Sequence, residues 1–120
     1  MLVDDVEINR IIVIEQLSNL GLRMDEAADG TEAVAMFARS PVNFYDLIFM
    51  DLQMPRMDGY AAARAIRASG QTRAGTVPII AMSANAYAED VKKCLDSGMN
   101  AHISKPLFKD VMLRTIARFV

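Results

Sequence analysis

Hydrophobic and polar positions follow two alternating patterns along this chain. Two continuous apolar runs, 46–51 and 77–84, are typical of parallel strands that are covered on both faces. Three weaker segments are also predicted as strands: the end of a strand at 1–3, a short polar one at 22–30 that suits an edge, and 100–104.

Between the strands the apolar positions recur with the period of a helix. Val13, Leu17 and Leu20 fall at i, i+4 and i+7, which predicts a helix that starts at Glu7 and ends before Gly21. The other predicted helices cover 31–39, 59–69 and 86–97, and a last one carries the stripe Phe108, Met112, Ile116 and Phe119.

Strand and helix therefore alternate five times. This alternation predicts an α/β fold with a parallel sheet and helices on both of its faces. Right-handed crossovers leave few topologies for such a chain. Ligands of these sheets bind outside the carboxyl ends of the strands, so the residues that end each strand matter most.

The side chains at the predicted strand ends are three carboxylates, a hydroxyl and an ammonium group, which could form one site. The first strand ends on Asp4 and Asp5, the third on Asp51, the fourth near Ser83 and the fifth next to Lys105. Carboxylates that lie close together raise each other's pKa, and Mg²⁺ prefers such oxygen ligands. A carboxylate can also act as a nucleophile, and Asp51 is the best candidate because it ends the middle strand.

Length, composition and net charge favour some classes of protein and exclude others. The chain has 120 residues, 52% of them hydrophobic, and a net charge of -2, which fits one compact domain without a basic surface for nucleic acid. It has one cysteine, Cys94, which favours a reduced, cytoplasmic setting, and no apolar run approaches the length of a membrane span. Because only three apolar residues precede the acid pair, we interpret the chain as a piece excised from a longer protein, with a truncated first strand that loosens Asp4 and Asp5.

Four segments carry a resemblance to a known family. "LVDD" (2–5), "DLIFMDLQMPRMDG" (46–59), "PIIAMSA" (78–84) and "AHISKP" (101–106) resemble the receiver domain of two-component response regulators. "DDVEIN" and "GMNAHISKP" are most similar to receivers of hybrid sensor histidine kinases, or of phosphorelay proteins that signal to histidine phosphotransfer domains. The resemblance implies a single receiver domain over 1–120, with a flavodoxin-like, doubly wound five-stranded sheet in the order 2-1-3-4-5 and five helices.

The resemblance also implies a role for each matching residue near the acids. Asp51 is expected to accept a phosphoryl group from a phosphohistidine. Mg²⁺ is expected to be bound by Asp5 directly, by Asp4 through water, by Asp51 and by the backbone carbonyl of Gln53.

Further implied roles lie on the fourth and fifth strands. Ser83 is expected to hydrogen-bond the phosphoryl group, and Lys105 to pair first with Asp51 and then with the phosphate. The Lys105–Pro106 peptide bond is expected to be cis. His102 occupies the position where many receivers carry a switching Tyr or Phe, so it is the second candidate switch residue beside Ser83.

The expected partners are a histidine kinase or a histidine phosphotransfer domain. Phosphorylation is expected to shift the loop after the fourth strand and the last two βα units. The domain would assist its own phosphorylation and dephosphorylation without being a turnover enzyme. It is expected to be cytoplasmic and to contact neither nucleic acid nor membrane; a membrane-anchored parent chain and a weak homodimer stay open.

Three other functions are alternatives to a phosphoacceptor switch. A Mg²⁺-dependent aspartyl phosphatase of the haloacid dehalogenase type carries a second Asp two residues after its nucleophile, where this chain has Gln53. A flavin-binding domain would need a phosphate-binding loop after the first strand. A degenerate interaction module of the same fold, which no longer takes phosphate, is disfavoured because all five site residues are present, but the short first strand keeps it open.

Several other residues have simpler interpretations. Asp58 is expected to cap a helix, and Asp29 is given no role. Arg64, Arg67 and Arg73 are expected to form a solvated face.

Overall fold

The computed structural model describes residues 1–18, 20–84 and 88–120. The strands are β1 (Leu2–Val3), β2 (Glu26–Ala27), β3 (Ile48–Asp51), β4 (Ile79–Ser83) and β5 (Ala101–Ser104). The helices are α1 (Glu7–Leu17), α2 (Gly30–Arg39), α3 (Gly59–Arg67), α4 (Ala88–Asp96) and α5 (Lys109–Phe119). Among the described residues, no helix combines the length and the apolar character that crossing a bilayer requires.

All five strands form one parallel sheet in the order β2-β1-β3-β4-β5, which confirms the predicted fold class and strand order. The two residues of β1 pair on both sides, Leu2 with Glu26 and with Phe49. The short, polar β2 lies at one edge, where the sequence pattern placed it. β3 is the central strand, so its last residue, Asp51, ends at the middle of the sheet.

Alternate residues of the sheet face two separate hydrophobic cores. Met50 and Ile79 pack with buried side chains of α2, α3 and α4, such as Ala63. Phe49 and Ile80 pack on the opposite face with buried residues of α1 and α5. Because both faces are covered, the central strands are buried throughout, as continuous apolar runs predict.

Some predicted helix boundaries differ from the structure. α1 ends at Leu17 rather than Leu20, whose side chain is exposed. Phe108 precedes α5 and is 60% exposed, so it does not belong to the buried stripe. The predicted start of the fourth helix at 86 lies outside the described residues. Asp58 caps α3 as expected, since its carboxylate accepts the N–H of Ala61 at 2.8 Å.

Arg67 does not lie on a solvated face, which corrects that expectation. Its guanidinium donates to the carbonyl oxygens of Gly98 (2.7 and 2.9 Å) and Val77 (2.7 Å). It also donates to the carbonyl of Ala74 at 3.1 Å and to Asn100 Oδ1 at 2.9 Å. One planar side chain therefore joins the end of α3 to the two loops that precede β4 and β5.

Gly59 lets α3 begin directly against the end of β3. Its N–H donates to the carbonyl of Leu52 at 3.0 Å. A Cβ atom at this position would collide with the Asp51 carbonyl oxygen and lie 2.9 Å from the Leu52 Cα. Because both neighbours are backbone atoms, they cannot move without shifting the strand end that carries Asp51.

We therefore expect Gly59→Ala to lower the free energy of unfolding by about 1–3 kcal/mol, the usual cost of overpacking. Gly75→Ala is the matched control, because no atom lies within 4 Å of its added Cβ. Urea denaturation of both variants measures the difference. Equal midpoints for the two variants would show that the strand end adapts to the extra methyl group.

Candidate functional site

Three carboxylates from two separate segments meet at the carboxyl edge of the sheet. Asp4, Asp5 and Asp51 each offer a carboxylate oxygen, and these oxygens all lie within 4.8 Å of one another. Asp4 and Asp51 are buried, whereas Asp5 is exposed. Strand pairing causes this convergence, because Val3 pairs with Met50 and the next residues leave the sheet together.

Asp4 is held firmly by its own surroundings and is 2% exposed. Its Oδ1 accepts the N–H of Val6 at 2.9 Å, and its Oδ2 accepts from Asn9 Nδ2 at 3.4 Å and from Lys105 Nζ at 3.2 Å. Asp4 is not the N-cap residue of α1. That position is Val6, whose side chain makes no capping hydrogen bond. The hydrogen bonds to its carboxylate fix the orientation of Asp4; the expectation that a truncated first strand loosens Asp4 and Asp5 stays a prediction.

Asp51 is 4% exposed and lies between charges of both signs. Its Oδ2 is 3.4 Å from Lys105 Nζ, and its Oδ1 accepts the N–H of Gln53 at 3.4 Å. Burial raises the pKa of the Asp51 carboxyl from 3.8 to about 6; Asp4 adds to this rise and Lys105 opposes it. The metal-free site therefore carries a carboxyl group that resists ionisation.

Lys105 contacts both buried acids, because Nζ lies 3.2 Å from Asp4 and 3.4 Å from Asp51. Its backbone N–H donates to the carbonyl of Ser83 at 2.7 Å, which connects the ends of β4 and β5. The peptide bond between Lys105 and Pro106 is cis. The ammonium group of Lys105, just after β5, thus contacts the carboxylates at the ends of β1 and β3.

Ser83 ends β4 one residue beyond the register partner of Asp51. Its Oγ lies 2.7 Å from His102 Nε2, so the two candidate switch residues contact each other directly. Ser83 is 9% exposed. The structure thus places Asp4, Asp5, Asp51 and Lys105 together, with Ser83 on the adjoining strand end; the carbonyl ligand role of Gln53 stays a prediction.

Two residues near the acids make contacts that the sequence analysis did not predict. Arg10 donates to the carbonyl of Asp4 at 2.7 Å and pairs with Glu26 at 3.1 Å, so it links α1 to β2 beside the site. No pattern in the sequence indicates this contact. Asp29, which was given no role, caps α2 through the N–H of Glu32 at 2.8 Å and pairs with Arg56 at 2.8 Å.

A cap signal for Asp29 was present. An Asp followed three residues later by Glu is a known signature of a helix N-terminus, and Glu32 occupies that position. The pairing with Arg56 has no such signal, because it joins residues of distant loops.

The acid cluster fits a small divalent cation. Its donors are carboxylate oxygens, the ligands that Mg²⁺ prefers, and one of the three acids faces solvent, where a metal-bound water can remain. A cation would also offset the repulsion between Asp4 and Asp51. The residues present are thus suited to hold a metal.

This chain is similar in sequence and fold to known proteins. A family model described as the response regulator receiver domain matches residues 1–117. The sensor histidine kinase RcsC of Escherichia coli is 38% identical over 119 residues, which cover 99% of this chain and 12% of that protein. The chain therefore spans about an eighth of the length of this curated relative.

Two solved structures are informative neighbours. The receiver domain of the sensor histidine kinase PA1611 from Pseudomonas aeruginosa, which has a magnesium ion coordinated in its active site cleft, is 40% identical. The TM-score is 0.86, with 98% of this chain and 93% of that chain covered. A Saccharomyces cerevisiae complex joins the phosphotransfer protein Ypd1 to the receiver domain of Ssk1; it matches at 29% identity and a TM-score of 0.85, over 98% of this chain and 85% of that one.

The matching family model covers nearly the whole chain, and RcsC is 38% identical to it over 99% of this chain. This chain belongs to the response regulator receiver domain family.

Proposed function

We propose that this chain is a phosphoacceptor switch in which Asp51 takes a phosphoryl group from a phosphohistidine. The observation that carries the proposal is the position of Asp51. It is a nearly fully buried carboxylate at the end of the central strand, 3.4 Å from Lys105 and grouped with Asp4 and Asp5. A buried acid in such a place has little structural purpose, and its raised pKa marks it as a candidate reacting group.

The transfer itself needs one nucleophile and neutralisation of charge. A carboxylate oxygen of Asp51 attacks phosphorus, the P–O bond forms as the P–N bond breaks, and the electron pair stays on the leaving imidazole nitrogen. Lys105 neutralises charge on the phosphoryl oxygens from its place between the acids, and Ser83 donates its hydroxyl to another of them. Asp5, Asp51, the carbonyl of Gln53 and, through water, Asp4 would hold Mg²⁺, which would supply further positive charge to the phosphoryl oxygens.

A histidine kinase or a histidine phosphotransfer domain is the partner we propose. Ile8, Ile11 and Ile12 form an apolar strip on α1 and are 46–57% exposed. Phe108 lies at the start of α5, on the same face of the sheet as α1. Both surfaces adjoin the strand ends that carry the acids, so a partner could bury them while presenting its phosphohistidine to Asp51.

The relatives support this choice of partner and of context. The receiver domain of Ssk1 is known in complex with a histidine phosphotransfer protein. RcsC is a sensor histidine kinase, of which this chain matches 12%. We therefore propose that the chain is one receiver domain of a longer, cytoplasm-facing signalling protein.

The response to phosphorylation would be a small two-state change. A new dianionic group beside Asp4 attracts Lys105 and the hydroxyl of Ser83, both of which end strands on one half of the sheet. The loop after β4 and the α4–β5–α5 surface would move in response. An aspartyl phosphatase is disfavoured, because the general acid of that class would have to come from Gln53.

Acetyl phosphate with Mg²⁺ tests the acceptor directly. We expect intact mass spectrometry to detect a gain of one phosphoryl group in the wild type, no gain in Asp51→Asn and a full gain in the exposed control Asp96→Asn. Excess EDTA should abolish the gain, because the acids then repel the incoming phosphate. Phosphorylation of Asp51→Asn to the wild-type level would contradict the choice of acceptor, and an EDTA-insensitive rate would contradict the metal role.

Lys105→Ala separates phosphorylation from switching. We expect the variant to take up the phosphoryl group, since Asp51 and the metal ligands remain, but to lose the conformational response that the ammonium couples to the charge. Amide NMR shifts of β5 and α5 before and after phosphorylation measure the response, with Lys92→Ala as the control at an exposed lysine. A response of wild-type size in Lys105→Ala would exclude this coupling.

The raised pKa of Asp51 also predicts a pH dependence of stability in the metal-free protein. The folded state holds a proton on Asp51 between about pH 4 and 6 that the unfolded state releases, so stability falls as pH rises through this window. Between pH 5 and 7.5 the expected loss from this group is about 1–2 kcal/mol. Urea denaturation in EDTA should show this loss in the wild type and in Asp96→Asn but not in Asp51→Asn; equal pH slopes in all three would refute it.

A further inference from the structure

Arg10, on α1, contacts the backbone of the acid pair. Its Nη1 donates to the carbonyl oxygen of Asp4 at 2.7 Å, and its Nε lies 3.1 Å from Glu26 Oε1. The Arg10 side chain is 14% exposed, whereas that of Glu26, on the edge strand β2, is 45% exposed. An ion pair with such an exposed partner adds little stability, so we assign to Glu26 the orientation of the guanidinium group.

The carbonyl that Arg10 binds belongs to the peptide unit between Asp4 and Asp5. Because a peptide unit is planar, the direction of this carbonyl also sets the position of the Asp5 Cα atom. On the other side of Asp4, its N–H donates to the carbonyl of Ala27 in β2 at 3.2 Å. The backbone of Asp4 is thus held on both sides, by β2 and by α1.

Asp5 depends on this peptide unit more than Asp4 does. The carboxylate of Asp4 is buried and bound directly, for example by Lys105 at 3.2 Å. Asp5 is exposed, although one of its carboxylate oxygens lies within 4.8 Å of those of Asp4 and Asp51. The backbone that carries Asp5 therefore does most to direct its carboxylate towards the other two acids.

We propose that Arg10 is a positioning residue for the metal site: by fixing the peptide unit between Asp4 and Asp5, it directs the Asp5 carboxylate towards Mg²⁺. The inference rests on the proposed function, in which Asp5 is a metal ligand. It gives α1 and the edge strand a part in metal binding, although Arg10 and Glu26 are not themselves ligands. The effect is opposite in sign to that of charge alone, because a guanidinium group repels Mg²⁺ and would weaken its binding.

A charge-matched pair of substitutions separates positioning from charge. Arg10→Met/Glu26→Gln removes one positive and one negative charge, so the net charge stays that of the wild type. We expect its Kd for Mg²⁺, from NMR titration of the amide shifts around Asp51, to rise about 3- to 10-fold, less than for a residue that bonds a ligand side chain directly. Glu26→Gln alone keeps the bond to the Asp4 carbonyl, so its Kd should stay within twofold of the wild type.

The metal-free protein provides a readout that does not depend on Mg²⁺. In EDTA, the amide ¹⁵N shift of Asp5 should change more in the double variant than in Glu26→Gln, since only the double variant removes the donor to the preceding carbonyl. Urea denaturation shows whether each variant is folded under the conditions of the titration. If the double variant does not fold, Arg10→Lys replaces it. This variant keeps the charge but has one nitrogen where the guanidinium group uses two, and its Kd should also rise.

The outcomes distinguish this role from the proposed function. If Mg²⁺ shifts no signals of the wild type, the metal role in the proposed function fails and the role of Arg10 with it. If the wild type binds Mg²⁺ and the variant that replaces Arg10 has the wild-type Kd or a lower one, only the positioning role is overturned. An equal rise of the Kd in Glu26→Gln would also overturn it, because the bond to Asp4 remains in that variant.

Discussion

The burial of two neighbouring carboxylates is the constraint on which the candidate site depends. Asp4 and Asp51 end neighbouring strands, and both are almost wholly removed from water. Lys105 reaches both, but a single ammonium does not offset the cost of burying the Asp51 charge, as its raised pKa records. The sheet keeps the acids in place because the free energy of packing its two faces on hydrophobic cores exceeds the cost of burying charge at one edge. Such a site is stabilised by a bound cation, and it responds to any change in the charge of Asp51.

Much of the fold follows from sequence pattern alone. The continuous apolar runs of β3 and β4 and the alternation with helices indicate a parallel sheet, and buried residues such as Met50 and Ile79 occupy it as predicted. Helix ends were harder to predict. Leu20 continues the helical period beyond Leu17, yet its side chain is exposed and the helix has already ended, so spacing alone could not distinguish a core position from a surface one.

The grouping of the candidate site residues could be predicted where it follows from the topology. Strand ends of a parallel sheet must meet, so Asp4, Asp5, Asp51 and Lys105 could be grouped from the chain order. Contacts made by long side chains across loops could not. The link from Arg56 to Asp29 depends on the rotamers of residues far apart in sequence, and the bond between Ser83 and His102 depends on strand register.

Arg67 has a mechanical consequence for the half of the sheet that carries Ser83 and Lys105. Its bonds fix the backbone just before β4 and β5 to the end of α3, at the edge of the sheet opposite the acids. Because these bonds hold the amino ends of β4 and β5, a pull at Ser83 or Lys105 would act mainly on the carboxyl ends of the two strands. The backbone before β4 and β5 would then stay in place while the residues beside the acids shift.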